Sequence, residues 1–118
     1  MDSGDMVTVT SEDNLITTYK RMRMFDVSQL PVVDSGRIVG LIDESDILLS
    51  LFDDKDSFQK QVESVMVTNL ETVAPTEDLS RIVELFKQDK VAIIADRDHF
   101  YGLITRIDLI NHLRQTQV

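Results

Sequence analysis

The chain has 118 residues, no cysteine and a formal net charge of −9 at pH 7. Its length suffices for one domain with its own core, and the lack of cysteine excludes disulfides and cysteine-based zinc sites. Because the charge opposes nucleic-acid binding and no apolar run reaches the roughly 18 residues of a membrane span, we expect a soluble, cytoplasmic protein with no nucleic-acid or membrane partner.

The chain opens with a predicted strand and helix. Val7 to Val9 has the composition of a short strand, and "TSED" supplies Thr10 or Ser11 as helix N-cap, with acids in the first turn. The apolar stripe of this helix consists of Leu15, Ile16, Tyr19 and Met22. Such a stripe needs a second layer to cover it.

A hairpin and a second helix follow. Two apolar runs flank Asp34, Ser35 and Gly36, which favour a tight turn. The acid-rich "DESD" then predicts the first turn of a helix that carries Ile47, Leu48 and Leu51. Leu51 to Ser64 is predicted as a connecting segment with some helix, anchored by Phe58 and Val62.

The second half repeats this order. Thr72 and Val73 predict a strand, and Pro75 and Thr76 predict the opening of a helix. The stripe of that helix consists of Leu79, Ile82, Val83 and Phe86. A hairpin is then predicted over residues 91–95 and 101–104, and a closing helix over 107–113.

The two halves align as an internal repeat. Leu79 follows Leu15 by 64 positions, Val91 follows Leu30 by 61, and Gly102 follows Gly40 by 62. These offsets predict a shorter helix-to-strand loop and a longer hairpin in the second copy. Each copy is thus βαββα, and two pseudo-symmetric copies packed through their sheets would bury the apolar faces of both in an α/β fold.

The stretch "YGLITRIDLI" at residues 101–110 has a counterpart in "VGLIDESDIL" at residues 39–48. The pattern Gly, aliphatic, aliphatic, Thr, x, x, Asp, together with the βαββα repeat, resembles a tandem pair of CBS domains, the Bateman module. The resemblance implies motif 1 at 1–50, a connecting segment at 51–64 and motif 2 at 65–118. Because motif 1 begins abruptly, residues 1–5 resemble a truncation or domain boundary, and we expect a piece of a longer protein.

Within this superfamily the segments "VSQLPVVDSGRIVGLID" (27–43), "LSRIVELFKQDKVAIIADRD" (79–98) and "YGLITRIDLINHL" (101–113) are most similar to the C-terminal regulatory module of cystathionine β-synthase. That similarity implies a pyridoxal-phosphate enzyme as host, with catalysis in an N-terminal domain beyond this chain. It also implies S-adenosylmethionine or AMP as an allosteric ligand, with no covalently bound cofactor.

Thr105 and Asp108 are the strongest candidate pair. A Thr between a strand and a helix offers a hydroxyl beside free backbone N–H groups, which suits a phosphate or carboxylate. An Asp three residues later can accept hydrogen bonds from two ribose hydroxyls. The spacing alone leaves open that Thr105 is only an N-cap and Asp108 only a partner of the helix dipole.

The resemblance implies a ligand cleft between the motifs. Its residues would be Val27, Ser28, Gln29 and Leu30 facing Tyr101, Leu103, Ile104, Thr105, Ile107 and Asp108, with Met6 at the edge. Leu30, Ile107 and Met6 would sandwich an adenine, Gln29 would read its edge and Asp108 would hold the ribose. The same aliphatic residues are also typical of a core.

The symmetry-related position differs in charge. Asp43 stands where the second copy has Thr105, and Glu44 and Asp46 follow it, so this site would repel a phosphate. The three acids are typical of a helix N-terminus, and a weak cation site is the alternative. We therefore expect one functional site. With Arg106 as its only nearby base, AMP or the cationic S-adenosylmethionine suits it better than a triphosphate.

Nothing in the sequence predicts catalysis, and apart from the weak cation alternative at Asp43, Glu44 and Asp46 nothing predicts a metal site. His99 and His112 have no Ser or Cys around them and are interpreted as solvent-facing or capping residues. The predicted function is a regulatory, allosteric module that senses an adenosyl ligand and forms a homodimer, with residues 107–113 as a candidate face. The alternative is a ligand-free dimerisation or autoinhibitory module.

Overall fold

The structure, a computed structural model, describes residues 6–97 and 99–116, and the chain divides into two compact units, residues 1–70 and 71–118. Both units combine a small sheet with α-helices, so the predicted α/β class is confirmed. The predicted truncation at residues 1–5 lies outside the described residues.

Among its described residues, the first unit contains two α-helices, one hairpin and two short 3₁₀-helices. These are α1 (Leu15–Phe25), β1 (Gln29–Asp34), β2 (Arg37–Asp43), α2 (Glu44–Asp53) and the 3₁₀-helices Lys55–Gln59 and Val62–Ser64. The strand predicted at residues 7–9 is wrong: it is reduced to one parallel bridge between Val9 and Val32. Val9 has one neighbour to pair with, through its N–H to Pro31 O at 3.1 Å and its carbonyl to Val33 N at 2.8 Å.

Helix α1 starts later than predicted. Its N-cap is Asn14, whose Oδ1 accepts the Thr17 N–H at 3.0 Å, and its first turn holds no acid. Thr10 forms its own turn instead, since the Thr10 N–H donates to Asp13 Oδ2 and the Asp13 N–H donates to Thr10 Oγ1. Ser11 donates its hydroxyl to Asp34 at 2.6 Å. Several good capping residues compete here, and the last of them begins the helix.

The buried face of α1 is narrower than the predicted stripe. Leu15 and Met22 are buried as expected, but the third buried residue is Thr18 rather than Tyr19. The Thr18 hydroxyl is satisfied within the helix by donating to Asn14 O at 3.1 Å. Tyr19 lies at the edge of the core, where its ring contacts that of Phe58 at a centroid distance of 5.9 Å.

The first hairpin turns where the sequence predicts. Asp34 pairs with Arg37, and the two residues between them, Ser35 and Gly36, both have positive φ, at 51° and 81°. Two consecutive left-handed residues define the turn whose twist matches that of the flanking strands. The turn prediction is confirmed.

The segment that follows α2 packs on the first unit. Val62 is fully buried in the core, and Phe58 packs against the same core, so both predicted anchors are confirmed. Further along, Val67 forms two backbone hydrogen bonds with Leu41, at 2.8 and 2.9 Å. The crossing is close, since a Cβ on Gly40 would lie 2.6 Å from Met66 Sδ. At Leu41, the edge of β2 that faces away from β1 is therefore hydrogen-bonded to Val67.

In the part that the structure describes, the second unit contains a three-stranded sheet and two α-helices. These are β3 (Thr72–Val73), α3 (Leu79–Lys87), β4 (Ala92–Ala95), β5 (Phe100–Ile104) and α4 (Arg106–Thr116). Strand β4 lies in the middle, parallel to β3 and antiparallel to β5. The prediction that Pro75 and Thr76 open α3 is wrong, because they lie in a turn and Asp78 precedes the first helical residue.

The apolar stripe of α3 differs from its prediction in the same way as that of α1. Ile82 is buried, and Phe86 packs against the core of this unit. Leu85, outside the predicted stripe, is fully buried, whereas Leu79 is 45% and Val83 38% exposed. The buried face of α3 is therefore rotated about the helix axis relative to the predicted stripe.

The two hairpins are equivalent in register, and this corrects the repeat alignment. Val32 pairs with Gly40 and Ile94 with Gly102, and each pair is followed by a bulge. A constant offset of 62 makes Ala92, not Val91, the counterpart of Leu30. The predicted longer hairpin and shorter loop are wrong: α3 has 9 residues where α1 has 11, and this accounts for the change of offset.

Candidate functional site

The predicted site residues are divided between the two units. The first unit holds Met6, Val27, Ser28, Gln29 and Leu30, and the second holds Tyr101, Leu103, Ile104, Thr105, Ile107 and Asp108. Each set is described within its own unit, and the cleft between the motifs stays a prediction.

Thr105 and Asp108 form the cap of α4. Asp108 Oδ2 accepts both the backbone N–H and the hydroxyl of Thr105, each at 2.9 Å. In return the Asp108 N–H points at Thr105 Oγ1 across 3.4 Å, and Thr105 O accepts the first helical hydrogen bond from Leu109. This is the reciprocal arrangement of a capping box. The Thr105 proton is therefore committed to Asp108 and is not available to a ligand.

One oxygen of Asp108 is left over. Within the part of the chain that the structure describes, Oδ1 accepts no hydrogen bond, and Asp108 lies exposed at the start of α4. A carboxylate oxygen has two lone pairs for acceptance. The cap thus uses one side of the carboxylate and leaves the other for hydroxyl groups from solution.

Arg106, the one predicted base, faces the end of α3. Its Nη2 donates to Phe86 O at 2.7 Å and forms an ion pair with Asp89 Oδ1 at 2.5 Å. Asp89 follows the C-terminus of α3 in the left-handed conformation, with φ 61°. The sequence reasoning did not identify Asp89. The sequence does carry a signal for Asp89, because an Asp follows each of the two equivalent helices. Asp26, after α1, also has a positive φ, 54°.

The apolar candidates of the second unit lie at different depths. Leu103 and Ile104 are half-buried, and Ile104 packs against the core of its unit. Ile107 is 60% exposed on the first turn of α4. The Tyr101 ring lies edge-on to His99, and its hydroxyl donates to Asp96 Oδ2 at 2.8 Å. Ile107 is thus the aliphatic side chain beside the Asp108 cap that offers the most surface.

Apart from Met6, the candidates of the first unit follow one another from the loop after α1 into the start of β1. The Val27 N–H donates to Met22 O, and Ser28 O accepts the Glu44 N–H, both at 3.0 Å. Gln29 is half-buried, and it pairs with Asp43. Met6 is also half-buried. Leu30 is 1% exposed within the core, so its side chain offers no surface to a ligand in this structure.

The N-terminus of α2 carries the same cap built from two acids. The Asp46 N–H donates to Asp43 Oδ1 at 2.9 Å, and the Asp43 N–H donates to Asp46 Oδ2 at 3.0 Å. Burial raises the pKa of Asp46, against the hydrogen bond from the Asp43 backbone, and the Asp43 charge adds to the rise. Asp43 and Thr105 therefore both cap a helix. Asp43 adds a negative charge that repels an anion, whereas Thr105 adds no charge.

The remaining predictions concern metal sites, the two histidines and membrane-spanning helices. Among residues 6–97 and 99–116, no three carboxylate or imidazole side chains are grouped so as to hold a metal ion. His99 and His112 are both exposed, as their interpretation requires. None of the helices formed by the described residues is long and apolar enough to cross a membrane.

Comparison with known proteins gives matches over almost the whole chain. The model of the CBS domain family matches twice, at residues 1–53 and 62–115. An inosine-5'-monophosphate dehydrogenase of Bifidobacterium longum is 30% identical over 111 residues, which are 90% of this chain and 20% of that protein. One from Korarchaeum cryptofilum is 24% identical over 108 residues, 89% of this chain and 22% of that protein. The chain thus spans about a fifth of these curated relatives.

Solved structures share the fold. A CBS domain protein from Streptococcus pneumoniae superposes with a TM-score of 0.84 at 15% identity, covering 99% of this chain and 84% of that one. Staphylococcus aureus OpuCA gives a TM-score of 0.77 at 23% identity, covering 95% of each chain. At such identities the similarity establishes the fold alone.

Proposed function

The chain belongs to the CBS domain family, as a regulatory pair of two such domains, and we propose that it senses an adenosyl compound on behalf of a larger protein. The observation that carries the proposal is the free Oδ1 of Asp108 at the exposed N-terminus of α4. Thr105 fixes the other carboxylate oxygen, so the free one is held in place before a ligand arrives. Such a preorganised acceptor suits the paired hydroxyls of a ribose.

Ile107 supports the nucleoside part of the proposal. Its side chain is 60% exposed and follows Thr105 by two positions, so an apolar surface lies next to the hydroxyl acceptor. Small-molecule sites combine apolar walls with a few polar groups that fix orientation. An adenine base against Ile107 and a ribose on Asp108 use both features.

The ligands proposed are S-adenosylmethionine and AMP. The net charge of −9 favours a cationic or weakly anionic compound over a triphosphate. Regulation follows only if the ligand binds one state of the whole protein more tightly than the other.

The regulated partner is proposed to be an attached catalytic domain. The inosine-5'-monophosphate dehydrogenases to which the chain is similar are about five times its length. They favour a host of that kind and lend no support to the cystathionine β-synthase predicted from the sequence.

Calorimetric titration of this chain with adenosine, AMP and S-adenosylmethionine tests the proposal. Saturable heat with at least one of the three compounds is expected. Absence of heat with all three would reject the sensor and leave the alternative, a ligand-free dimerisation or autoinhibitory module.

Homodimer formation belongs to the same proposal and has its own surface. Within the predicted face 107–113, Ile110 and Leu113 are 57% and 42% exposed along one side of α4. Apolar side chains repeated at helical spacing and left in solvent are typical of an interaction face. Sedimentation equilibrium of Ile110→Asp should give a monomer where the unchanged chain gives a dimer. The control is Leu49→Asp, which alters a 64% exposed residue of α2.

A further inference from the structure

Arg106 lies in sequence between the two capping residues, Thr105 and Asp108, yet its guanidinium is bound elsewhere. It is the first residue of α4, directly after Thr105, and its guanidinium is held by Phe86 O at 2.7 Å and by Asp89 at 2.5 Å. A phosphate bound at the start of α4 would need positive charge beside it, since Asp108 contributes a negative one. While Asp89 holds the guanidinium, that charge is neutralised by a protein carboxylate.

From this competition we propose that Asp89 is a specificity-determining residue of the adenosyl site, which weakens the binding of ligands with a phosphate group by withholding Arg106. The inference rests on the proposed function. It selects, within the adenosyl class, compounds whose group near Thr105 is neutral or cationic. Adenosine and S-adenosylmethionine then bind in preference to AMP.

The first copy of the repeat shows which part of this arrangement is structural. Asp26 is the C-cap of α1 and Asp89 lies one residue beyond the C-cap of α3, and both are in the left-handed conformation, with φ 54° and 61°. The residue that starts the following capped helix is Glu44 in the first copy and Arg106 in the second. An acid at the helix end is thus common to both copies, whereas the ion pair with the base exists only in the second. The helix end explains why an acid stands at this position, but it does not explain why Asp89 forms an ion pair with Arg106.

The strength of the pair limits the expected effect. The side chains of Arg106 and Asp89 are 58% and 88% exposed, and exposed ion pairs contribute little. Freeing Arg106 is therefore expected to raise the affinity for AMP by about two- to fivefold, which corresponds to the upper part of the range measured for such pairs.

Asp89→Asn is the decisive variant. Asparagine is almost isosteric with aspartate and tolerates the left-handed conformation, so the backbone at the end of α3 is kept. The chain is titrated with AMP and with adenosine as unchanged protein, Asp89→Asn, Arg106→Gln and the double variant. Asp26→Asn is the matched control, because it makes the same change at the equivalent helix end.

The proposal expects Asp89→Asn to bind AMP more tightly with adenosine affinity unchanged, and expects Arg106→Gln to abolish that gain in the double variant. Equal changes for AMP and adenosine, a gain that persists in the double variant, or the same gain from Asp26→Asn would each overturn it while leaving the sensor intact. If neither compound binds any variant, the proposed function fails, and the role of Asp89 fails with it.

Discussion

The hydroxyl of Thr105 donates to Asp108 Oδ2 at 2.9 Å, and the same oxygen accepts the Thr105 backbone N–H at 2.9 Å. Asp43 and Asp46, 62 positions earlier, cap α2 through their own reciprocal hydrogen bonds. The repeat therefore conserves a helix cap within one chain while changing its charge. A ligand at α4 meets a carboxylate whose orientation is already set by the fold.

The cap of α4 should be measurable as stability. Thr105→Ala removes the hydroxyl that donates to Asp108, whereas Thr105→Ser retains it. Loss of an N-cap hydroxyl costs about 1 kcal/mol. Urea unfolding should therefore give a lower free energy of unfolding for Thr105→Ala and almost no change for Thr105→Ser. Equal losses for the two variants would contradict a capping role of the hydroxyl.

Asp46 should make the first unit more stable in mild acid. Because burial raises its pKa in the folded chain, the folded state holds the proton more tightly than the unfolded state. The free energy of unfolding therefore rises as the pH falls from neutral through the raised pKa of Asp46. The rise is complete below the pKa of an aspartate in the unfolded chain, about 4. Asp46→Asn should lose this contribution.

Urea midpoints measured at a series of pH values compare the unchanged chain, Asp46→Asn and Glu12→Gln. Glu12 is exposed, so its variant controls for the loss of one negative charge. The prediction is contradicted if Asp46→Asn keeps the pH dependence of the unchanged chain.

Gly40 should tolerate no side chain. A Cβ there would lie 2.6 Å from Met66 Sδ and 3.1 Å from Val67 O. Met66 has a flexible side chain that can move, but the Val67 carbonyl is backbone held by Leu41. Gly40→Ala should lower the free energy of unfolding by about 1–3 kcal/mol, the usual cost of overpacking. In a double-mutant cycle with Met66→Ala, part of this loss should be recovered; strict additivity would mean that the two residues do not contact.

Leu15 and Leu79 occupy equivalent positions and should differ sharply. Each is the first residue of its helix, but Leu15 is 0% and Leu79 45% exposed. Leu15→Ala should cost about 2–5 kcal/mol, as large-to-small changes in a core do. Leu79→Ala should cost under about 1 kcal/mol. Urea unfolding of the two variants checks this, and similar losses would refute the difference in packing.

The local elements that the sequence predicted correctly depend on short-range chemistry. Ser35 and Gly36 form the first turn because their positive φ values join two adjacent strands. The prediction of a strand at Val9 is wrong because a strand needs a neighbour along its length, and Val9 forms a single β-bridge, with Val32. Helix starts failed where capping residues compete, as Thr10, Ser11 and Asn14 do.

The sequence predicted Thr105 and Asp108 as candidate residues but not their hydrogen bonds to each other, and their role towards a ligand stays a prediction. Repeat comparison alone selects Thr105 and Asp108, and the family match supports the motif that contains them. The sequence left open that Thr105 is an N-cap and Asp108 a partner of the helix dipole; in the structure the two residues cap the helix together. The pairing of Arg106 with Asp89 joins residues 17 positions apart, and it depends on the fold bringing the end of α3 within reach of Arg106. No local pattern encodes such a contact.

The most direct measurement of the central claim is the affinity of adenosine for Asp108→Ala, compared with Asp46→Ala by calorimetric titration. Both variants remove a carboxylate that accepts the backbone N–H of the N-cap residue in an equivalent helix cap. Hydrogen exchange of the free proteins confirms that both stay folded. The account predicts at least tenfold weaker binding by Asp108→Ala and unchanged binding by Asp46→Ala. Unchanged affinity in Asp108→Ala, or equal loss in both variants, would contradict it.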